Sequence, residues 1–173
     1  MSEFAGWKSI GMFEALEEQD LAQVREAFSQ RTVPAGQNLV TEGEDGDEMF
    51  VLVSGKVQVT KSMLLSNVAI PFLTMDNPRK VLATLDGSNY PIFGEMALVD
   101  RDVRSATILV LEDAEFLVTD RLRFFDLAQR NPALGFKLLL AVSRRLTATV
   151  RRNNQELVKL TTALALALER SAR

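Results

Sequence analysis

The sequence predicts an α+β fold in which an antiparallel β sandwich or jelly roll lies between an N-terminal helix and a long C-terminal helix. Three observations predict it: an early helical period of apolar residues, several short β-like runs broken by glycine, and a return of the helical period after Asp120. The length of 173 residues suits one core with a helical appendage. Alternating strands and helices, which would predict a parallel sheet, are not seen.

The first helix is predicted over Asp20 to Phe28. Apolar residues at Leu21, Val24 and Phe28 follow the three-then-four spacing of an amphipathic helix. Pro34-Ala35-Gly36 is expected to end this helical opening.

The middle of the chain consists of short runs typical of strands. They cover Asn38–Thr41, Met49–Val53, Lys56–Lys61, Lys80–Leu85, Ser105–Val110 and Glu115–Thr119. Between them, Gly43 to Asp47 and Ser54-Gly55 are turn sequences, because glycine adopts the positive φ that tight turns require. Ser62 to Pro78 fits neither period and is expected to form a long excursion between two strands.

A helical period returns after Asp120. Leu122 to Arg130 predicts a short helix, Asn131-Pro132 a break, and the residues from Ala133 onward a final helix of roughly 40 residues and ~60 Å. Two heptad positions form a seam on it, and they hold Ser143, Val150, Leu157 and Leu164, then Leu146, Asn153, Leu160 and Ala167. The seam predicts pairing with a second copy, in which Asn153 fixes the register. The alternative is that this helix lies on its own domain.

The composition excludes several classes of site. The chain has no cysteine and no histidine, which removes disulfides, thiolate zinc sites, iron-sulfur centres and histidine-based catalysis. Met1 to Phe4 shows no signal peptide, and the apolar stretches are shorter than the ~20 residues of a membrane span. We therefore expect a cytoplasmic protein without membrane contact. The net charge of −3 gives no general attraction to nucleic acid.

The stretch with the clearest chemistry is Phe93 to Thr107. Gly94 allows close approach of a ligand, and Glu95 to Val99 suits a single helical turn whose free N–H groups face an anion. Arg104 offers two parallel donors to a phosphodiester, and the carboxylate of Glu95 is a good acceptor for a sugar hydroxyl. One arginine suffices for a singly charged cyclic phosphate. The alternative is a purely structural ion pair between Glu95 and Arg104.

With these residues in place, the chain resembles the cyclic nucleotide-binding domain family over about residues 12 to 150. The family includes bacterial catabolite activators, kinase regulatory subunits and cyclic nucleotide-gated channels. The resemblance is carried by Phe93 to Leu98 with Arg104 to Thr107, by Pro34 to Gly36, and by the runs Val40 to Asp47 and Phe50 to Val57. It implies a jelly-roll barrel (a double-stranded β-helix) with flanking helices over residues 1–130. Residues 131–173 then form the C-terminal helix, for which the seam predicts dimerisation.

The resemblance also implies the ligand contacts. Glu95 receives the ribose 2′-hydroxyl and Arg104 the cyclic phosphate. The implied phosphate cradle is completed by Gly94, Met96, Ala97, Ser105 and Ala106, where Ser105 adds a hydroxyl. Val59, Leu82 and Leu85 match positions on the base side, with ordinary core packing as the alternative, and Thr149 matches a helix residue that touches the adenine amino group, with a surface threonine as its alternative.

Base choice favours cAMP. The family usually has threonine after the cassette arginine where guanine is preferred, and this chain has Ser105; cGMP is the alternative ligand. Val103 stands where many members have proline, and Gly87 to Ile92 lengthens the approach to Phe93. These two departures affect loop rigidity more than ligand chemistry.

The expected output is a relay through Leu122 to Arg173 to an unidentified protein partner, without enzymatic activity and without a cofactor or metal. The activators of the family continue into a helix-turn-helix domain, and no DNA-reading motif is expected after Arg173. Arg144, Arg145, Arg151 and Arg152 offer positive charge to nucleic acid, but no docking motif accompanies them. A cupin enzyme or a haem sensor would need histidine or cysteine ligands. A scaffold that has lost its ligand is the remaining rival.

Overall fold

The computed structural model describes residues 4–63, 79–100 and 102–171. The helices are α1 (Glu18–Glu26), α2 (Glu95–Val99), α3 (Arg121–Arg130) and α4 (Pro132–Ser171), with short 3-10 turns at Trp7–Ser9 and Gly87–Asn89. The strands are β1 (Ser29–Val33), β2 (Asn38–Val40), β3 (Glu48–Ser62), β4 (Arg79–Asp86), β5 (Ile92–Phe93) and β6 (Thr107–Asp120). Residues 64–78, most of the predicted excursion, lie outside the described residues.

The strands form one antiparallel sheet in the order β1-β6-β3-β4, with β2 added to β6 and β5 added to β3. The central pair of this sheet is β3 with β6, which runs from Glu48 opposite Asp120 to Thr60 opposite Thr107. This sheet and its flanking helices confirm the predicted fold, a jelly-roll β-barrel with an N-terminal helix and a long C-terminal helix.

Two predicted strand pairs are in fact single strands. Met49–Val53 and Lys56–Lys61 belong to β3, and most of Ser105–Val110 joins Glu115–Thr119 in β6. The Ser54-Gly55 signal marks a bend, because the β3–β6 register shifts there and Gly55 has a φ of 89°. A Cβ on Gly55 would lie 2.6 Å from the Cα of Ala114. Glycine therefore permits a bulge that curls the sheet without ending the strand.

The opening helix lies two residues earlier than predicted, at Glu18–Glu26 instead of Asp20 to Phe28. α1 ends at Glu26, so the expectation that Pro34 to Gly36 ends the helical opening is wrong: β1 lies between them. β1 is exposed at every residue except Val33 and lacks the alternation that identifies a strand in a sequence. It forms by pairing with β6, a long-range contact.

The sheet separates two apolar cores, since successive residues of a strand point to opposite faces. Inside the barrel lie Val33, Phe50, Leu52, Val57, Phe93, Ile108, Val110, Ala114, Phe116 and Val118. On the other face, Met49, Val51 and Leu117 pack with the N-terminal segment, α1, α3 and the start of α4. The helices thus rest directly on the back of the strands that carry the candidate site.

The C-terminal helices begin within one residue of their predicted starts. The Asp120 carboxylate accepts from the Arg123 N–H at 2.8 Å, and the Asn131 side chain accepts from the Leu134 N–H at 3.1 Å. Each is a side-chain cap at a helix start, and Pro132 follows Asn131 at the first position of α4.

α4 has two parts. Leu134, Leu138 and Val142 are buried against the domain, whereas every residue from Arg151 to Arg170 is exposed. The alternative that this helix lies on its own domain is thus correct only for its first part. Within the described part of the chain, no helix is both long and apolar enough to cross a membrane.

Candidate functional site

The turn before α2 requires glycine. Gly94 has a φ of 74°, and its carbonyl accepts from the Ala97 N–H at 3.0 Å as α2 begins. A Cβ at this position would lie 2.6 Å from the Glu48 carbonyl oxygen and 2.8 Å from Nη1 of Arg104. The backbone of Gly94 therefore lies directly against Arg104, the residue predicted to bind the phosphate. The predicted single helical turn from Glu95 to Val99 is confirmed.

Arg104 is buried, with 9% of its surface exposed. Its Nη1 donates to the Glu48 carbonyl at 2.7 Å, and its guanidinium carbon lies 5.6 Å from the centre of the Phe50 ring. Its main chain is fixed as well, because its N–H donates to the Glu44 carbonyl at 2.8 Å and its carbonyl accepts from the Gly43 N–H at 2.9 Å. Contacts within the chain therefore hold both the side chain and the main chain of Arg104 in place.

Burial lowers the pKa of Arg104, and the negative charges of Glu48 and Asp47 oppose that shift. An arginine stays protonated under such conditions, so the site presents a partly desolvated positive charge. Electrostatic attraction to an anion is stronger there than at the protein surface.

A cavity of about 290 Å³ opens beside this guanidinium. It is lined by Leu39, Val40, Glu44, Asp45, Gly46, Asp47, Glu48 and Arg104. A Cβ at Gly46 would lie 2.6 Å from Nη2 of Arg104, so this second glycine also leaves room for the guanidinium. Four acidic residues share this lining with one cation, Arg104, and the carboxylate of Glu48 is paired with Arg31. The remaining negative charge favours a singly charged anion over a doubly charged one.

Glu95 lies next to Gly94 in the chain, but it is not part of the cavity lining at Arg104. Its carboxylate is mostly buried and pairs with Nε of Arg145 on α4 at 3.3 Å. Nη2 of Arg145 also donates to the Ile92 carbonyl at 2.5 Å. The alternative of a structural Glu95–Arg104 ion pair is therefore wrong, since each of the two has another partner.

The other candidates for the phosphate cradle surround these two residues. Ala97 is buried, Ala106 is half-buried, and Met96 and Ser105 are exposed. The Ser105 carbonyl accepts from Nζ of Lys61 at 2.7 Å, which anchors the residue after Arg104 to β3.

The candidates for the base side differ in environment. Val59 and Leu85 are half-buried at the edge of the barrel core. Leu82 is 51% exposed at the register shift of the β3–β4 pair, so the alternative of ordinary core packing is wrong for it. Thr149 is half-buried on α4, one helical turn after Arg145 and on the same face.

Two features of the site were not predicted from the sequence. The sequence gives Arg145 no predicted contact in the site, and it indicates the loop from Glu44 to Glu48 as a turn within the run that carries the family resemblance, without predicting its place beside Arg104. The spacing of Arg145 and Thr149, four residues apart on a helix, is a signal that places them on one face. No sequence signal indicates that this face turns toward Glu95.

The sequence matches one family profile, described as "Cyclic nucleotide-binding domain", over residues 30–131. The Cyclic AMP receptor protein of Thermus thermophilus is 27% identical over 139 residues, which is 80% of this chain and 58% of that protein. The cGMP-dependent protein kinase 2 of Homo sapiens is 34% identical over 118 residues, 68% of this chain and 14% of the kinase. The chain thus spans less than two thirds of either relative.

Solved structures agree with these matches. The catabolite activator protein of Thermus thermophilus superposes with a TM-score of 0.68 at 27% identity, covering 87% of this chain and 63% of that one. A cyclic nucleotide-binding domain from Methylobacillus flagellatus superposes with a TM-score of 0.73 at 23% identity, covering 88% and 82%, and supports the fold alone.

Proposed function

Because this chain belongs to the cyclic nucleotide-binding domain family, we propose that it is a non-catalytic sensor of a cyclic nucleotide monophosphate, with cAMP as the preferred ligand. The observation that carries the proposal is the buried guanidinium of Arg104, fixed by Glu48 and Gly94 and open to a cavity. A buried positive charge needs a negative partner, and a cyclic phosphodiester supplies one charge with two accepting oxygens.

In the proposed complex, the phosphate lies against Arg104, Ser105 and the backbone of Gly94, Met96, Ala97 and Ala106. The ribose reaches Glu95, whose carboxylate accepts the 2′-hydroxyl while it stays paired with Arg145. The base lies between two groups of residues. Val59, Leu85 and the exposed Leu82 are on one side of it, and Thr149 is on the other. The choice of cAMP rests on Ser105 after the cassette arginine and on Thr149 near the base.

The proposed relay starts at two contacts between the α2 region and the C-terminal helices. One is the Glu95–Arg145 pair, and the other is Nη1 of Arg121, which donates to the Leu98 carbonyl at 2.6 Å. A ribose hydroxyl on Glu95 adds a second donor to the carboxylate that Arg145 contacts, so occupancy of the site acts on this pair and through it on α4. Such a change shifts populations only by the difference in ligand affinity between two states.

The proposed division of labour is a sensor over residues 1–130 and a dimerisation helix over residues 131–173. Val150, Leu157, Leu160 and Leu164 of the seam are exposed. Phe136 and Leu139, also exposed, extend the same two heptad positions toward the start of α4. Leu134, Leu138 and Val142 are buried against the domain, and Leu146 of the seam is half-buried against the same core. In this proposal, the buried residues of α4 pack on its own domain and the exposed seam residues contact a second copy. A protein partner binds the output surface.

Calorimetry with cAMP, cGMP and 5′-AMP tests the proposed function. We expect cAMP to bind more tightly than 5′-AMP, because the second negative charge of the open phosphate meets the carboxylates that surround Arg104. Equal affinity for the two nucleotides would contradict the site. A chain that binds none of the three would instead be a scaffold that keeps the fold without the ligand.

A further inference from the structure

Arg104 has a second arginine as its neighbour. The guanidinium carbons of Arg31 and Arg104 lie 5.7 and 5.6 Å from the centre of the same ring, that of Phe50. Arg31 comes from β1 and is half-exposed, whereas Arg104 is buried. Both positive charges therefore lie beside one aromatic ring of the barrel core.

Glu48 contacts both arginines, through different atoms. Its backbone carbonyl accepts from Nη1 of Arg104 at 2.7 Å. Its carboxylate accepts from Arg31 twice, with Nη2 at 2.5 Å from Oε1 and Nη1 at 3.1 Å from Oε2. Because Arg31 occupies both carboxylate oxygens in this fork-like geometry, the carboxylate is not engaged by Arg104.

The carboxylate of Glu48 is nevertheless close enough to influence Arg104. Its negative charge opposes the lowering of the Arg104 pKa that burial causes. A hydrogen bond between two ionised groups is stronger than one from a guanidinium to a neutral carbonyl. A Glu48 carboxylate without Arg31 would therefore be a competitor for Arg104, available within the same residue.

We infer that Arg31 is a positioning residue that holds the Glu48 carboxylate away from Arg104 and so keeps the Arg104 guanidinium available to a ligand phosphate. When Arg31 is lost, Glu48 captures Arg104 and blocks the site from within. The inference rests on the proposed function for the identity of the ligand. The exchange of partners, in contrast, is a property of the free protein.

The fold does not depend on this pair. Arg31 and Glu48 are both partly exposed, and water screens exposed ion pairs so that they contribute little to the free energy of unfolding. An Arg31→Met substitution keeps a long, unbranched side chain at this position and removes the charge. A change in ligand affinity therefore reports on Arg104 and not on unfolding.

The test is a double-substitution cycle measured by calorimetry with cAMP. We expect Arg31→Met to weaken binding roughly tenfold, equivalent to about 1.4 kcal/mol. Glu48→Gln keeps the backbone carbonyl that holds Arg104 and removes the competing carboxylate, so Arg31→Met combined with Glu48→Gln is expected to bind cAMP more tightly than Arg31→Met alone. Lys56→Met is the matched control, since it breaks another exposed cross-strand ion pair, with Glu112 at 3.2 Å.

Two results would overturn the inference. In one, Arg31→Met binds cAMP as tightly as the wild type; in the other, the double variant stays as weak as Arg31→Met. The second would mean that Arg31 acts on the site without Glu48.

If no nucleotide binds, the role of Arg31 can still be tested on the free protein. NMR of the arginine Nε–Hε groups follows Arg104 directly: its resonance shifts in Arg31→Met and returns in the double variant if Glu48 changes partner. If the wild-type chain does not bind cAMP, the proposed function is refuted. If the Arg104 resonance has the same chemical shift in Arg31→Met as in the wild type, this inference is refuted.

Discussion

The Glu95 carboxylate and the Arg145 guanidinium are 3.3 Å apart and connect the turn beside the candidate phosphate site to the long C-terminal helix. Arg145 also donates to the Ile92 carbonyl, on the strand that leads into that turn. One side chain of α4 therefore contacts the segments before and after Gly94. This contact gives the proposed sensor a direct path from ribose to helix.

Glu95→Gln tests the ribose contact. A neutral amide is a weaker acceptor for the 2′-hydroxyl than a carboxylate, so cAMP binding is expected to weaken by about 1.5 kcal/mol. Calorimetry with 2′-deoxy-cAMP is the control, because a ligand without that hydroxyl has no such bond to lose. Equal weakening of both ligands would show that Glu95 acts only through Arg145.

Arg145→Met tests the relay. We expect the variant to bind cAMP while its α4 no longer responds, because the link from Glu95 to the helix is removed. Hydrogen exchange of residues 143–150, with and without cAMP, measures that response. Arg144→Met is the matched control, since Arg144 is exposed on α4 next to Arg145. A ligand-dependent change that persists in Arg145→Met would place the relay elsewhere, with Arg121 as the next contact to replace.

The phosphate contact is tested by the pair Arg104→Lys and Arg104→Ala. Loss of a hydrogen bond to a charged group costs about 1.5–3 kcal/mol, so Arg104→Ala should weaken cAMP binding roughly 10-fold to 150-fold. Arg104→Lys keeps the charge but not the two-pronged geometry and is expected to fall between the wild type and Arg104→Ala. If Arg104→Ala binds cAMP as tightly as the wild type does, the phosphate does not bind in this cavity.

The backbone at Gly94 gives a prediction about stability. An alanine there must adopt a φ of 74° and place its Cβ 2.6 Å from the Glu48 carbonyl oxygen, so Gly94→Ala should lower the free energy of unfolding by about 1–3 kcal/mol. Urea denaturation measures it. Gly11→Ala is the control, because a Cβ at Gly11 meets no atom within 4 Å. A Gly94→Ala protein as stable as the control would mean that the turn rearranges freely.

The sequence predicts those parts of the molecule whose signals are local. The turn-helix of Gly94 to Val99, the break at Asn131-Pro132 and the extent of α4 all follow from neighbouring residues. β1 was missed because its residues, Ser29 to Val33, are mostly polar, and only pairing with the distant β6 makes them a strand. For the same reason the partner of Glu95 could not be predicted, since Arg145 lies 50 positions away in the sequence and reaches it only through the packing of α4.

The seam of α4 gives the last prediction, about the oligomeric state. A helix whose apolar residues stay exposed after it has left its own domain is stabilised by a partner that covers them. Leu157→Glu with Leu160→Glu places two like charges in the seam of each copy, and sedimentation is expected to change from twice the 19.2 kDa chain mass to a single chain. Leu166→Glu is the matched control, because Leu166 is equally exposed on α4 but occupies neither heptad position of the seam. If Leu166→Glu also yields single chains, the paired surface is not the seam; if the wild type already sediments as one chain, α4 serves another partner.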